Sequence, residues 1–284
     1  MLIYQLKVPG FNPVQAGSEA SVMLTRGPTY HEIKLKLTNG GIAVTDAVAA
    51  AQFGKVSLLI NGKPFYFISM KHLIDTLIKY QGFAFVNGEI TIQLARSNMR
   101  TPSGEENLAW GTGNIDTFEL KVEIKATATN PTISAVALVS PEKRDLGAII
   151  EVREYSFSTA TAGVFEIRDL PRTNGDLVAL HFDNANIDEV VVDINGFSAV
   201  EGDMVAYLNR LTERAGRAPQ AGYAHIDFLV RNRLDDVLPL RNLNDFTVKL
   251  DMSASGSVPI VMETLNVPLA KQEAAAKSLM KAKK

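Results

Sequence analysis

The heptapeptide Val56-Ser57-Leu58-Leu59-Ile60-Asn61-Gly62 has a counterpart in Val190-Val191-Val192-Asp193-Ile194-Asn195-Gly196, at an offset of 194 − 60 = 134 residues. An apolar run closed by Asn-Gly reads as a strand entering a type I′ hairpin, because both residues tolerate positive φ. A single match would be chance, but the offset persists. Met70, Leu73, Ile74, Leu77 and Ile78 recur at helical spacing between Ser69 and Gly82, and predict a helix over 70–81. Met204, Tyr207, Leu208 and Leu211 repeat the pattern between Asp203 and Gly216, and predict a helix over 203–215. Ile92 and Leu94 match Ile226 and Phe228 at the same offset.

Loops of unequal length follow, Ser97–Asn114 against Asn232–Leu243, after which the offset becomes 246 − 118 = 128. Phe118, Leu120, Val122 and Ile124 alternate with polar residues, as do Phe246, Val248, Leu250 and Met252, the pattern of strands with one face buried and one wet. Upstream, Ile33, Leu35 and Leu37 match Val178, Leu180 and Phe182 at an offset of 145, so the first copy carries 145 − 134 = 11 extra residues around Thr38–Gly54. Strands and helix keep their order while loops drift. This is a duplicated domain, not a short-period solenoid.

The intervening segments complete the plan. Residues 1–18, with Pro9 and Pro13, read as an irregular arm. Strands are expected at 19–25, 30–38, 64–68, 88–95, 115–126 and 132–139, with a short helix at 46–53. Ser140–Gly147 is a polar linker and the expected domain boundary. Strands at 149–158, 164–168, 176–183, 223–231, 244–253 and 257–264 fill the second half. Many short strands with one helix in a long connection suit a jelly roll better than an immunoglobulin-type sandwich. The expected fold is therefore all-β: a tandem double jelly roll, two eight-stranded β-sandwiches each with one main helix. The expected divisions are an arm over 1–18, a first roll over 19–143, a second over 144–266, and a tail over 267–284, where Leu269–Lys284 reads as a short C-terminal helix.

Chemistry is sparse. With 284 residues and a formal net charge of −2, nothing points to a basic nucleic-acid binder. The absence of cysteine excludes disulfides, thiolate zinc sites and a cysteine nucleophile. Met1–Gly10 holds one basic residue and no long apolar core, so it does not read as a signal peptide, and no run matches a spanning helix. His31, His72, His181 and His225 show no metal-binding spacing and read as scattered strand and helix-surface residues, which disfavours a cupin-like enzyme. Gly111-Thr112-Gly113-Asn114 lacks the strand-to-helix context of a phosphate cradle. Glu105 and Glu106 near Trp110, the only tryptophan, read as a solvated loop with an anchoring aromatic rather than a sugar-cleaving pair. Asp183, Asp188 and Asp193 offer oxygen ligands for a structural calcium, but without an EF-hand-like loop. No catalytic residue and no cofactor is expected.

The tail has its own reading. Lys271, Lys277, Lys281, Lys283 and Lys284 against Glu273 give 5 − 1 = +4. Two readings stand side by side: a solvated terminus, or contact with an anionic surface, lipid head groups or nucleic acid, to which each lysine contributes about 1 kcal/mol.

A duplicated, helix-bearing jelly roll without a chemical site resembles the double jelly-roll major capsid proteins of tailless icosahedral viruses, and most closely those of corticoviruses, phages with an internal membrane. The resemblance is carried by Val8-Pro9 through Ala16-Gly17, Thr29-Tyr30-His31-Glu32-Ile33-Lys34-Leu35, Phe165 through Arg172, Ala179-Leu180-His181-Phe182, Ile194-Asn195-Gly196 and Ile226-Asp227-Phe228. The lysine-rich tail departs from it. The resemblance implies a structural protein that forms homotrimeric pseudo-hexagonal capsomers and tiles an icosahedral shell over a membrane. It further implies contacts with neighbouring capsomers, penton and membrane-associated virion proteins, and no sequence-specific nucleic acid. The location implied is the virion, with assembly in the bacterial cytoplasm. The competing reading, a receptor- or carbohydrate-binding sandwich of the spike type, requires an exposed aromatic platform.

Overall fold

The computed structural model describes residues 2–96, 99, 107–172, 175–240 and 243–266. These fall into two compact units, one built from 2–71, 86–151 and 265–266, the other from 72–85 and 152–264.

Among the described residues, the first unit has two short strands, Ile42–Ala43 and Trp110–Gly111, and eight longer ones that run in sequence: β1 (Tyr4–Lys7), β2 (Glu19–Met23), β3 (Thr29–Asn39), β4 (Phe53–Ile60), β5 (Lys63–Ser69), β6 (Glu89–Gln93), β7 (Phe118–Ile124) and β8 (Thr132–Ser140). They pair as β1-β8-β3-β6 in one sheet and β2-β7-β4-β5 in the other. Ile33, Leu35 and Leu37 of the first sheet, and Val56, Leu58, Leu120 and Val122 of the second, are wholly buried, as alternation requires. The expected arm is not all irregular: Tyr4–Lys7 adds an edge strand to β8, with Tyr4 opposite Val139. Helix α1 (Asp46–Gln52) fills the extra loop, and the Thr45 hydroxyl caps its start by accepting from Val48 N–H.

The second unit repeats the scheme with β9 (Ile149–Thr159, in this unit from Val152), β10 (Gly163–Ile167), β11 (Gly175–Asp183), β12 (Ile187–Ile194), β13 (Phe197–Met204), β14 (Tyr223–Asp227), β15 (Phe246–Met252) and β16 (Gly256–Asn266, in this unit up to Thr264). Its sheets run β9-β16-β11-β14 and β10-β15-β12-β13. Counted within each unit, both copies show the orders 1-8-3-6 and 2-7-4-5, the jelly-roll winding. Leu177, Leu180, Phe182, Val190, Phe246 and Leu250 lie in its apolar core.

The Asn-Gly turns behave as the repeat predicts. Asn61 and Gly62 have φ of 50° and 76°, and Asn195 and Gly196 have 47° and 82°. In both copies the Asn amide oxygen accepts two backbone N–H bonds from the segment entering the seventh strand: from Asp116 and Thr117 at 2.7 and 3.0 Å, and from Asn244 and Asp245 at 2.9 and 3.0 Å.

The connection between the fifth and sixth strands holds the main helix of each repeat, and here the copies diverge. The first, α2 (Met70–His72), continues into a π-helix over Leu73–Lys79. Tyr80 N–H reaches Asp75 and Phe83 N–H reaches Ile78, each five residues back. The Thr76 hydroxyl donates to the His72 carbonyl at 2.7 Å, satisfying an acceptor that an α-helical N–H would have taken. The second, α3 (Val205–Arg214), is a plain α-helix. Of its expected apolar face only Leu208 is buried; Met204, Tyr207 and Leu211 are 61%, 47% and 40% exposed. The C-terminal helix expected over Leu269–Lys284 lies outside the described residues.

Candidate functional site

Apart from three histidines and Asp183, the residues singled out in the sequence scatter rather than converge. Glu105, Glu106 and the five lysines from Lys271 to Lys284 lie outside the described residues. Trp110 is fully buried, with Phe65, Tyr66 and Phe118 at ring-centroid distances of 6.4, 5.8 and 5.9 Å, so it offers no platform for a sugar. The Gly-Thr-Gly-Asn loop clasps the Ser140–Gly147 linker: Gly113 N–H donates to Arg144 O at 2.8 Å, and the Asn114 side chain accepts from Leu146 N–H at 2.9 Å. A Cβ on Gly111 would strike the carbonyl oxygens of Arg144 and Asp145. The three aspartates are apart in function. Asp183 bonds His72, Asp193 pairs with Lys249 at 2.9 Å, and Asp188 is exposed. Among the described residues no three His, Asp or Glu side chains are arranged to hold a metal.

The histidines require a correction. All four are buried, between 0 and 6% exposed, and none is a surface residue. His31 bonds the Ser140 hydroxyl at 3.3 Å in the first unit. The other three belong to one polar layer of the second unit, where segment 72–85 covers the outer face of β11 and β14.

This layer starts at His72, whose Nδ1 lies 3.1 Å from Glu154 and Nε2 3.0 Å from Asp183. Burial pulls its pKa down, but the bonds to Asp183 and Glu154 and their charges outweigh that and lift it to about 9. His72 is therefore an imidazolium clamped by two carboxylates at neutral pH. One turn on, Asp75 accepts from the Tyr223 hydroxyl at 3.1 Å. Burial first, and the Asp75 and Asp183 charges after it, drive that phenol far above its usual range.

At the far end of the segment Tyr80 stacks on His225 with ring centroids 4.2 Å apart and donates to Asp227 at 3.3 Å. Asp227 also takes Arg217 Nε at 3.0 Å, and Arg217 reaches the Asn232 side chain at 2.9 Å. The Tyr80 carbonyl accepts from Ala218 N–H at 2.8 Å. Gln220 N–H donates to His225 Nε2 at 3.1 Å, so the His225 proton sits on Nδ1 and points to His181 Nδ1 at 2.8 Å. His181 then donates from Nε2 to Glu263 at 3.2 Å. The chain of bonds fixes both tautomers. Burial, with His181 adding to it, pushes the His225 pKa down to about 2 and keeps it neutral. The bonds tie segment 72–85 to β11 and β14 at both of its ends, an arrangement suited to locking it in place.

Sequence reasoning passed over Asp75, Tyr80, Glu154, Arg217, Tyr223 and Glu263. A signal existed. Leu177-Val178-Ala179-Leu180-His181-Phe182 is apolar on both faces, the mark of a strand covered on both sides, whereas Ile33-Lys34-Leu35-Lys36-Leu37 alternates.

Comparison with known proteins extends the picture. Residues 5–140 match the family described as viral coat protein P2 N-terminal domain, and residues 149–268 match viral coat protein P2 C-terminal domain. The major capsid protein P2 of Pseudoalteromonas phage PM2 is 24% identical over 266 residues, covering 89% of this chain and 93% of the relative. The crystal structure of that phage protein superposes with a TM-score of 0.86 at 23% identity, covering 94% of this chain and 98% of the other. A chain of the atomic structure of Sulfolobus turreted icosahedral virus gives a TM-score of 0.70 at 15% identity, covering 96% of this chain and 93% of the other. The PBCV-1 virus capsid gives 0.66 at 14%, covering 94% of both chains. Two lobes of like winding meet the two halves of one coat-protein family in the same order, so this chain belongs to the viral coat protein P2 family, a structural protein of the virion with the double jelly-roll fold.

Proposed function

We propose that the chain is the major capsid protein of a tailless icosahedral phage, forming homotrimers that act as pseudo-hexagonal capsomers and tile a shell over an internal membrane. The observation that carries this reading is the duplicated strand order. Three copies of a chain with two like lobes present six similar lobes about a threefold axis, so a trimer fits a hexagonal lattice. Fusion of the lobes in one chain lets each diverge in its loops, as Ser97–Asn114 and Asn232–Leu243 do. The phage PM2 relative supports the same reading by its description as a major capsid protein. The tail lysines, Lys271, Lys277, Lys281, Lys283 and Lys284, then serve as a salt-sensitive contact to anionic lipid head groups inside the shell. Light scattering coupled to size-exclusion chromatography tests the core of the proposal. A threefold mass and hexagonal arrays in electron micrographs support it; a monomer at high protein concentration overturns it.

A further inference from the structure

The two repeats treat the same element in opposite ways. In the first, Leu73, Ile74 and Leu77 are buried and segment 72–85 belongs to the second unit, where it covers β11 and β14. In the second, the positions 134 residues on are Tyr207, Leu208 and Leu211, and two of those three face solvent beside exposed Arg210 and Arg214. The sheets show the reciprocal difference. The outer face of β11 and β14, with His181, Asp183, Tyr223 and His225, is covered. The corresponding face of β3 and β6 presents Lys34, Lys36, Glu89 and Thr91, and the Lys34–Glu89 pair at 3.3 Å is 39% and 32% exposed. The chain thus holds one helix face without a sheet and one sheet face without a helix.

We infer that α3 of one copy docks on the outer face of β3 and β6 of a neighbouring copy, with Met204, Tyr207 and Leu211 at the contact. The occupant is a second copy of this chain because that copy alone carries the counterpart of the face that segment 72–85 already covers. A polar sheet face is no obstacle, since the covered one is polar too. Charge does not oppose it: the face balances Glu32 and Glu89 against Lys34 and Lys36, and Arg210 and Arg214 reach the two carboxylates. Burial, opposed by Lys34 and reinforced by Glu89, holds the Glu32 carboxyl above its usual range. Helix to sheet is a heterologous contact, which closes into a ring when repeated around a threefold axis.

The inference rests on the trimer reading, and the test separates the two. The full-length chain is compared with Tyr207→Ser/Leu211→Lys by light scattering and thermal melting. In parallel, Arg210→Cys/Thr91→Cys is treated with a short bis-maleimide, in a sequence that has no other thiol. The expected result is a trimer for the parent, a folded monomer for the first variant, and a ladder of covalent dimers and trimers from the second. A monomeric parent defeats the capsomer reading itself. A trimeric parent with a variant that stays trimeric and no interchain cross-link overturns the docking surface alone. Should the first variant fail to fold, the cross-link decides, because a trimeric parent whose thiol pair joins no chains refutes the contact.

Discussion

Asn61 and Asn195 each combine a left-handed backbone, a turn position and a double hydrogen-bond acceptor, and Asn supplies all three with little strain. Replacing Asn195 by Ala removes two accepted N–H bonds of about 1 kcal/mol each and puts a residue without Asn's tolerance of the left-handed region at positive φ, for about 1 kcal/mol more. Asn195→Ala is expected to destabilise the second unit by about 2–3 kcal/mol, with Asn61→Ala equivalent in the first; urea unfolding measures both. A Gly replacement relieves the backbone but not the bonds, so it should recover only a fraction. Gly111→Ala, by contrast, drives a methyl into the linker carbonyls and is expected to cost about 1–3 kcal/mol by the same measurement. Legibility at this scale was uneven. The Asn-Gly pairs declare a turn by their dihedral needs, whereas the staple from the Asn oxygen spans about fifty residues of chain and leaves no local trace. The glycines of the 111–114 loop are likewise explained by a close backbone approach that spacing cannot show.

Segment 72–85 shows what an apolar pattern conveys and what it omits. Residues at i, i+3 and i+4 announced a helix, and Gly82 ended it, with φ of 86°. The π winding follows from bonds around Thr76 and Asp75, and the segment's assignment to the second unit follows from His72, Asp75 and Tyr80, polar residues that a hydrophobic count ignores. Their chemistry predicts a two-sided pH profile. His72 is raised from 6.5 to about 9, so its stabilisation is complete below pH 6.5 and is lost as pH climbs through 9. Over that window the loss is about 3 kcal/mol at 1.36 per pH unit. His225 is lowered from 6.5 to about 2, so its contribution is present above pH 6.5 and fades as pH falls. Thermal stability should therefore peak near neutrality. In His72→Gln the alkaline limb between pH 7 and 9 should flatten while the acid limb persists; a parent and variant that melt in parallel across that range would contradict the assignment. His72→Ala removes two charge-assisted bonds, to Glu154 and Asp183, and is expected to cost about 3–5 kcal/mol.

At the scale of the whole molecule, duplication was the most legible feature, because strand alternation and turn residues survive divergence better than loops do. The eight-strand winding of each copy followed from it. Which copy's helix finds cover was hidden, since Tyr207 and Leu211 fit an inward face as well as an outward one. The tail belongs to this scale too. Deleting residues 267–284 is expected to leave the trimer intact while abolishing co-sedimentation with vesicles of anionic lipid at low salt. Retention on such vesicles after deletion would assign the attraction elsewhere.

The path of the backbone across the two units carries a last consequence. It leaves the first at Lys71, re-enters at Val86, leaves again after Glu151 and returns at Leu265. A gene split at the polar linker would therefore not release two self-sufficient halves. The downstream product would lack its lid of residues 72–85 and bare a row of histidines and acids to water. Supplying a synthetic 70–86 peptide in trans should restore its fold, since a lobe built from one repeat is completed by a strip of the other.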